Sequence, residues 1–262
     1  PDHLLEKGIG DHETLAKKPT GLTSTAFYYH HVVMLSEFAR ILDKPDDHRK
    51  YAELADHIKN AFIRKFLTEG TGKVDIGTQA AQAFALYYDL IPESLRQAAL
   101  EFLENDIVGK YNGHLTTGIF GTKMMYDVLR MYERKDLGFM ITNHKTLHGY
   151  GYMIENGGTT IWESWEGGGS SYNHPMFGSV SDWFFKSPGG IYPSENAVGF
   201  NPFIIQPSVV GDLEWVKCRY QSIRGEIICN WQIENDIFYL EAVIPGNTTA
   251  KIYIPAANQE SV

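Results

Sequence analysis

With 262 residues, 43% of them hydrophobic, the chain has apolar material for a large core; folds of this size bury roughly 70–75% of the surface that the unfolded chain exposes. Acidic residues exceed basic ones by nine (32 against 23), which argues against an electrostatic nucleic-acid or anionic-membrane partner. No run of eighteen apolar residues offers a spanning helix.

The chain opens Pro1-Asp2-His3-Leu4, without an initiator Met or a signal peptide, and reads as a piece of a longer protein. The compartment stays open between cytoplasmic and periplasmic or secreted. Thr23-Ser24-Thr25 offers N-cap hydroxyls to a first helix, in which Phe27, Val32, Leu35, Phe38, Ala39 and Leu42 recur at helical spacing before Pro45. From Asp46 a second helix carries Tyr51, Leu54, Ala55, Ile58, Phe62 and Phe66 on one face. Thr78–Leu90 is Ala-rich and apolar almost all round, which predicts a helix buried on most sides. Pro92–Ile107 is amphipathic. Gly121–Tyr132, Lys135–Thr142 and Phe177–Phe185 complete the helical part.

Small or hydroxyl residues open alternate helices, at Gly21-Leu22-Thr23, Gly77-Thr78-Gln79, Thr116-Thr117-Gly118 and Phe177-Gly178-Ser179. Inner apolar and outer amphipathic helices in alternation predict an α/α toroid or an α-solenoid, with the inner N-termini gathered at one end. A bundle that needs small residues only for close packing fits the same spacing. Beyond Pro193 the pattern changes to five short strands: Phe203–Gln206, Leu213–Tyr220, Glu226–Ile233, Ile237–Ile244 and Thr249–Ile254. Turn signals at Arg224-Gly225, Asn235-Asp236 and Pro245-Gly246-Asn247 separate them, which predicts an antiparallel sandwich. Cys218 and Cys229 lie on two of these strands and read as reduced thiols, with cross-strand proximity open.

Chemistry concentrates between Gly149 and Trp183. Trp162 and Trp165 bracket Glu163, and the glycine run Gly167-Gly168-Gly169 follows. Aromatic faces stack on the apolar faces of sugars, and a carboxylate between them loses hydration, which suits general acid–base work. Two core tryptophans with a locally paired glutamate fit the residues equally well. His144 and His148 stand four apart but lack a third ligand, so no metal is expected, and no cofactor motif occurs. Asp75, Glu155 and Glu166 are further pocket carboxylates, with surface or capping roles as their default.

Thr159-Thr160-Ile161-Trp162-Glu163-Ser164-Trp165 followed by Asn173-His174-Pro175-Met176-Phe177-Gly178-Ser179-Val180 resembles the bacterial α-L-rhamnosidases of glycoside hydrolase family 78. Gly10-Asp11-His12, His114-Leu115-Thr116-Thr117-Gly118-Ile119-Phe120-Gly121-Thr122 and Gly151-Tyr152-Met153-Ile154-Glu155-Asn156-Gly157 extend the resemblance from Gly10 to Pro255. It implies a mainly α domain followed by an all-β one: an (α/α)6 toroid, incomplete here, over 1–197 and a C-terminal β-sandwich over 198–262. The resemblance also implies roles. Glu163 falls on the general base of an inverting hydrolysis; Trp162 and Trp165 become pocket walls, and His174 a sugar-hydroxyl contact. Asp11 and His12 fall on substrate-binding positions, where the family has Gly-Asp-Trp; His12 in place of the tryptophan puts the preferred sugar in question.

The family's general acid belongs to an Asp-Cys-Pro-x-Arg type segment that these 262 residues do not contain, and seven or eight helices fall short of twelve. The resemblance therefore implies two partners: a rhamnose-containing glycoside, and a preceding part of the same protein that supplies the acid. The chain alone is expected to lack efficient turnover. A toroid glycosidase for another sugar and a non-catalytic carbohydrate-binding or interaction protein are the competing readings. A polysaccharide lyase fits less well, because its uronate substrates favour a basic site.

Overall fold

A computed structural model of the chain describes residues 2–168 and 171–256. Gly169, the end of the glycine run, lies outside the described residues. Among those residues eight α-helices precede six strands. None of the described helices is long and apolar enough to cross a membrane. Contacts divide the chain into two compact units: residues up to Val128 together with Asn143–Phe177, and Leu129–Thr142 together with the segment from Gly178 onward.

In the first unit, α1 (Thr20–Ile41) and α2 (Pro45–Phe66) form a hairpin around Val32, Ala55 and Ile58. The hydroxyls expected to cap α1 do not do so. The helix starts at Thr20, and Thr23 and Thr25 are buried inside it, where Thr23 Oγ1 donates to the Thr20 carbonyl and Thr25 Oγ1 meets the Leu5 backbone. A hydroxyl can satisfy a neighbouring carbonyl within the helix as readily as it caps an N-terminus, so its presence alone does not set the boundary. Pro45 opens α2 at the position where a missing N–H costs nothing. The apolar residues of α1 divide into two faces. Val32 and Ala39 are buried, whereas Leu35, Phe38, Ile41 and Leu42 are exposed.

Helix α3 (Gln79–Tyr87) is buried from Gln79 to Leu86, and the Thr78 hydroxyl caps it by accepting from Ala81 N at 3.3 Å. It pairs with α4 (Glu93–Glu104), which continues into a π-turn segment, Asn105–Lys110. Helices α5 (Ile119–Met131) and α6 (Lys135–Asn143) lie within two residues of their predicted bounds. A short helix, α7 (Tyr150–Glu155), occupies a glycine-rich stretch where periodicity had predicted none. Helix α8 (Ser179–Lys186) lies in the second unit, as does α6; a Cβ at Gly138 of α6 would fall 2.9 Å from the Trp183 indole nitrogen.

The strands form two three-stranded sheets. β3 (Trp215–Ser222), β4 (Gly225–Glu234) and β5 (Ile237–Val243) make an antiparallel meander. The β4–β5 turn places Asn235 and Asp236 at φ 50° and 62°, the left-handed pair that a two-residue hairpin needs and that these side chains tolerate. The other sheet runs β1 (Ile191–Pro193), β2 (Phe203–Ile205), β6 (Ala250–Ile252). The expected antiparallel order fails at one place, since β6 pairs parallel to β2. Alternation reports which face a residue takes, not the direction of the chain. Ile191, Phe203 and Ile205 from one sheet share a core with Cys218, Ile227, Cys229 and Trp231 from the other. Cys218 faces Cys229 in register, both are free thiols, and burial pushes them up to about 11 and about 12.

Candidate active site

The helix α5 begins with four backbone N–H groups that no turn of the helix can satisfy. Residues 11 and 12 take all four. Asp11 accepts from Gly118 at 2.6 Å, Phe120 at 3.1 Å and Gly121 at 2.9 Å, and the His12 carbonyl accepts from Ile119 at 2.9 Å. The approach is possible only because two of these residues are glycines. A Cβ on Gly118 would stand 1.9 Å from the His12 carbonyl oxygen, and one on Gly121 would stand 2.4 Å from the Asp11 carboxylate. Asp11 is fully buried. Burial pushes its pKa up, against the pull of the three N–H groups and Lys18.

The loop His114–Gly118 that leads into α5 is held on every side. The buried side chain of Gln79 donates to the His114 carbonyl (3.0 Å) and accepts from Thr116 N (2.9 Å). Thr14 Oγ1 and Leu15 N both donate to the Thr116 carbonyl, at 2.7 and 3.1 Å. The Thr117 carbonyl accepts the indole N–H of Trp165 at 3.0 Å. Trp165 is 1% exposed, with Tyr150 edge-on and Phe177 against its ring. Trp165 thus ties the Asp11 loop to the segment that carries Glu163.

That segment is clamped to residues 171–174. Glu163 N donates to the Ser171 carbonyl and Ser171 N donates to Glu163 Oε2, both at 2.9 Å. His174 N donates to the Ile161 carbonyl at 2.8 Å, and Thr160 Oγ1 donates to the Tyr172 carbonyl. The clamp brings Glu163 and His174 onto one short ladder, with the Glu163 side chain half-buried. His174 Nδ1 accepts from Met176 N at 3.2 Å. A neutral His174 therefore carries its proton on Nε2, which is left as a donor.

Trp162 is 6% exposed and stands between Tyr152 and Tyr172, each edge-on to it. Together with Asn156, Thr159 and Glu166 these three rings line a cleft of about 400 Å³. A second cleft of about 270 Å³ is lined by Glu13, Lys18, Ser164, Trp165 and Glu166. Glu166 thus borders both. His12 places a partly exposed ring 3.4 Å from Glu13. Glu155 pairs with Lys145 at 3.1 Å on the surface, and Asp75 is exposed in a turn.

His114 stacks on His144 with ring centroids 3.9 Å apart, and its Nε2 meets Thr146 Oγ1 at 2.7 Å. Burial and the His114 charge lower the pKa of both His144 and His148, while Glu166 pulls His148 the other way. The sequence reading missed Gln79, Gly118, Gly121, Tyr152 and Tyr172. A polar residue in an otherwise apolar helix was the available signal for Gln79. Nothing local marks the glycines as the landing place of a carboxylate from the far end of the unit.

Residues 2–187 match the bacterial alpha-L-rhamnosidase 6 hairpin glycosidase domain, and residues 190–262 match the bacterial alpha-L-rhamnosidase C-terminal domain. An alpha-L-rhamnosidase of Streptomyces avermitilis is 31% identical over 97% of this chain and 25% of its own length. One from Formosa agariphila is 31% identical over 92% of this chain and 27% of its own length. The solved alpha-L-rhamnosidase of Dictyoglumus thermophilum superposes with a TM-score of 0.92 at 37% identity, covering 99% of this chain and 30% of that one. The Streptomyces avermitilis enzyme, solved in complex with L-rhamnose, gives a TM-score of 0.92 at 29% identity over 99% of this chain and 26% of that one. The chain thus spans about a quarter of the length of the curated relatives it matches. With both of the family's domains matched in succession, the chain belongs to the bacterial α-L-rhamnosidases.

Proposed function

We propose that the protein containing this chain removes terminal α-L-rhamnose from glycosides by inverting hydrolysis, with Glu163 as the general base. The observation that carries this reading is the clamp between residues 160–163 and 171–174, which holds the Glu163 carboxylate and the His174 donor on one ladder. In an inverting reaction the base takes a proton from a water on the face of the sugar opposite the leaving group, and a second carboxyl protonates the departing oxygen. Glu163 supplies the first function. His174 Nε2–H donates to a sugar hydroxyl, and Trp162 with Tyr152 and Tyr172 walls the adjoining cleft, whose lining includes neither Glu163 nor His174. Trp165 walls the smaller adjoining cleft and, with Asp11, holds the Thr117 loop in place.

The acid comes from a part of the protein outside these residues. The exposed stripe of Leu35, Phe38, Ile41 and Leu42 on α1 supports a further helical segment packing there.

Aryl α-L-rhamnoside kinetics on the complete protein test the assignment. Glu163→Gln should lower kcat by about 10²–10⁴-fold, the range of a lost general base, and proton NMR should show β-L-rhamnose as the first product. Formation of the α-anomer first, or full activity in the variant, refutes it. Turnover by the 262-residue chain alone, abolished by Glu163→Gln, refutes the assignment of the acid to another segment.

A further inference from the structure

The outer face of the β3–β4–β5 sheet is built unlike a solvated strand surface. Register places Trp215, Gln232 and Tyr239 in one row across the three strands. The next row along the same face is Lys217, Asn230 and Glu241. Trp215 is 61% exposed and Tyr239 48% exposed, while the opposite face of the same strands fills the core through Trp231, Cys218 and Cys229. Two strand spacings separate the rings by about 10 Å.

We propose that this face is a carbohydrate-binding platform for a neutral pyranose oligosaccharide, separate from the clamp that holds Glu163 and His174. Sugar rings present alternating apolar faces and hydroxyl edges. An indole and a phenol at the ends of one row meet two such faces; the Gln232 amide between them donates one N–H to Glu234 Oε1 at 3.1 Å and meets the hydroxyls of an intervening ring with its carbonyl oxygen and remaining N–H. The second row offers donors and acceptors at the edge. Asn230 Nδ2 donates to Glu241 Oε2 at 2.8 Å, and the Lys217 ammonium lies 6.0 Å from the Trp215 ring centroid. One positive and one negative group in that row balance, which suits a ligand rich in hydroxyls and carrying no charge. A polyanion would want the lysine without the glutamate. An apolar protein surface would want a continuous patch, and here Gln232 interrupts it.

The inference does not rest on Glu163 being a base, because no catalytic residue takes part in it. Affinity electrophoresis of the complete protein tests it, in gels containing hydroxyethylcellulose, xylan or galactomannan, with cellohexaose, xylohexaose and mannohexaose as soluble competitors. Retardation is expected in at least one gel and is reversed by the matching hexaose. Trp215→Ala and Tyr239→Ala should each weaken it by about tenfold or more, as truncation of an aromatic anchor does. Trp215→Phe, which keeps a ring, retains most of it, and circular dichroism of all three variants should match the parent. Migration unchanged by every polysaccharide overturns the proposal, as does retardation that survives Trp215→Ala with Tyr239→Ala. Retardation lost with Glu163→Gln instead places the ligand at the Glu163–His174 clamp and also overturns it. If light scattering finds a dimer that Trp215→Ala dissociates and no sugar retards the chain, the face is a protein contact.

Discussion

Truncating Asp11 tests the claim that one carboxylate organises the pocket loop. It accepts three backbone N–H groups and is fully buried, so Asp11→Ala leaves three donors without partners. Each orphaned buried donor costs about 1–3 kcal/mol, and a negative charge at a helix N-terminus contributes about 0.3–2 kcal/mol more. Relief from burying the charge offsets part of this, since burial is the largest influence on its pKa and pushes it up. The net expectation is a loss of about 2–4 kcal/mol, a large share of a typical total of about 5–15 kcal/mol. Asp11→Asn should cost about half as much, because one oxygen still accepts while the amide N–H₂ faces a donor.

Urea unfolding followed at 222 nm measures the loss. Melting temperature should fall by about 5–15 °C for the alanine variant. Because the Thr117 carbonyl holds the Trp165 indole, tryptophan emission should shift to the red in the same variants before global unfolding. A loss under about 0.5 kcal/mol for Asp11→Ala refutes the reasoning, as does an asparagine variant no better than alanine.

The paired thiols supply a second prediction. Burial holds Cys218 and Cys229 near 11 and 12, so neither should react with Ellman's reagent at pH 8 in the native chain, and both should react in urea. The histidine stack supplies a third, with its sign set by linkage. The folded pKa of His144 and His148 lies below the ordinary 6.5, so the unfolded chain takes up protons first as pH falls. Stability from these groups is intact above pH 6.5 and declines as pH drops through 6.5 toward the folded values; His144→Phe, which keeps a stacking ring, should flatten melting temperature against pH between 5 and 7.5. A fourth concerns His174, whose ¹⁵N shifts at neutral pH should report a proton on Nε2, and Met176→Pro, which removes the donating N–H, should weaken that preference.

Much of the fold was legible in the sequence because its signals are local. A 3.6-residue period marks a helix and a 2-residue period marks a strand wherever they occur, so the order of helices followed by strands and most boundaries could be read directly. The helix α7 was hidden by its length of six residues and by glycines on both flanks. The family motifs pointed to Glu163 and His174, and the structure puts both on one clamp. The Asp11 carboxylate meets backbone N–H groups and the Trp165 indole N–H meets a backbone carbonyl, while Trp165 also lines the smaller cleft.

What the sequence determined by itself is chemical: an acidic, aromatic-rich chain, a glutamate between two tryptophans, and motifs ordered as in a rhamnosidase. What only the tertiary structure decided is which polar groups are already occupied. Asp11 and Gly118 are 107 residues apart in the chain and 2.6 Å apart in space. No periodicity spans that distance. Hydrogen bonds are satisfied in three dimensions, so a carboxylate far away in the chain can cap a helix to which no local signal joins it. The same holds for the outer sheet face. Trp215, Gln232 and Tyr239 become one row only when two hairpins set their register.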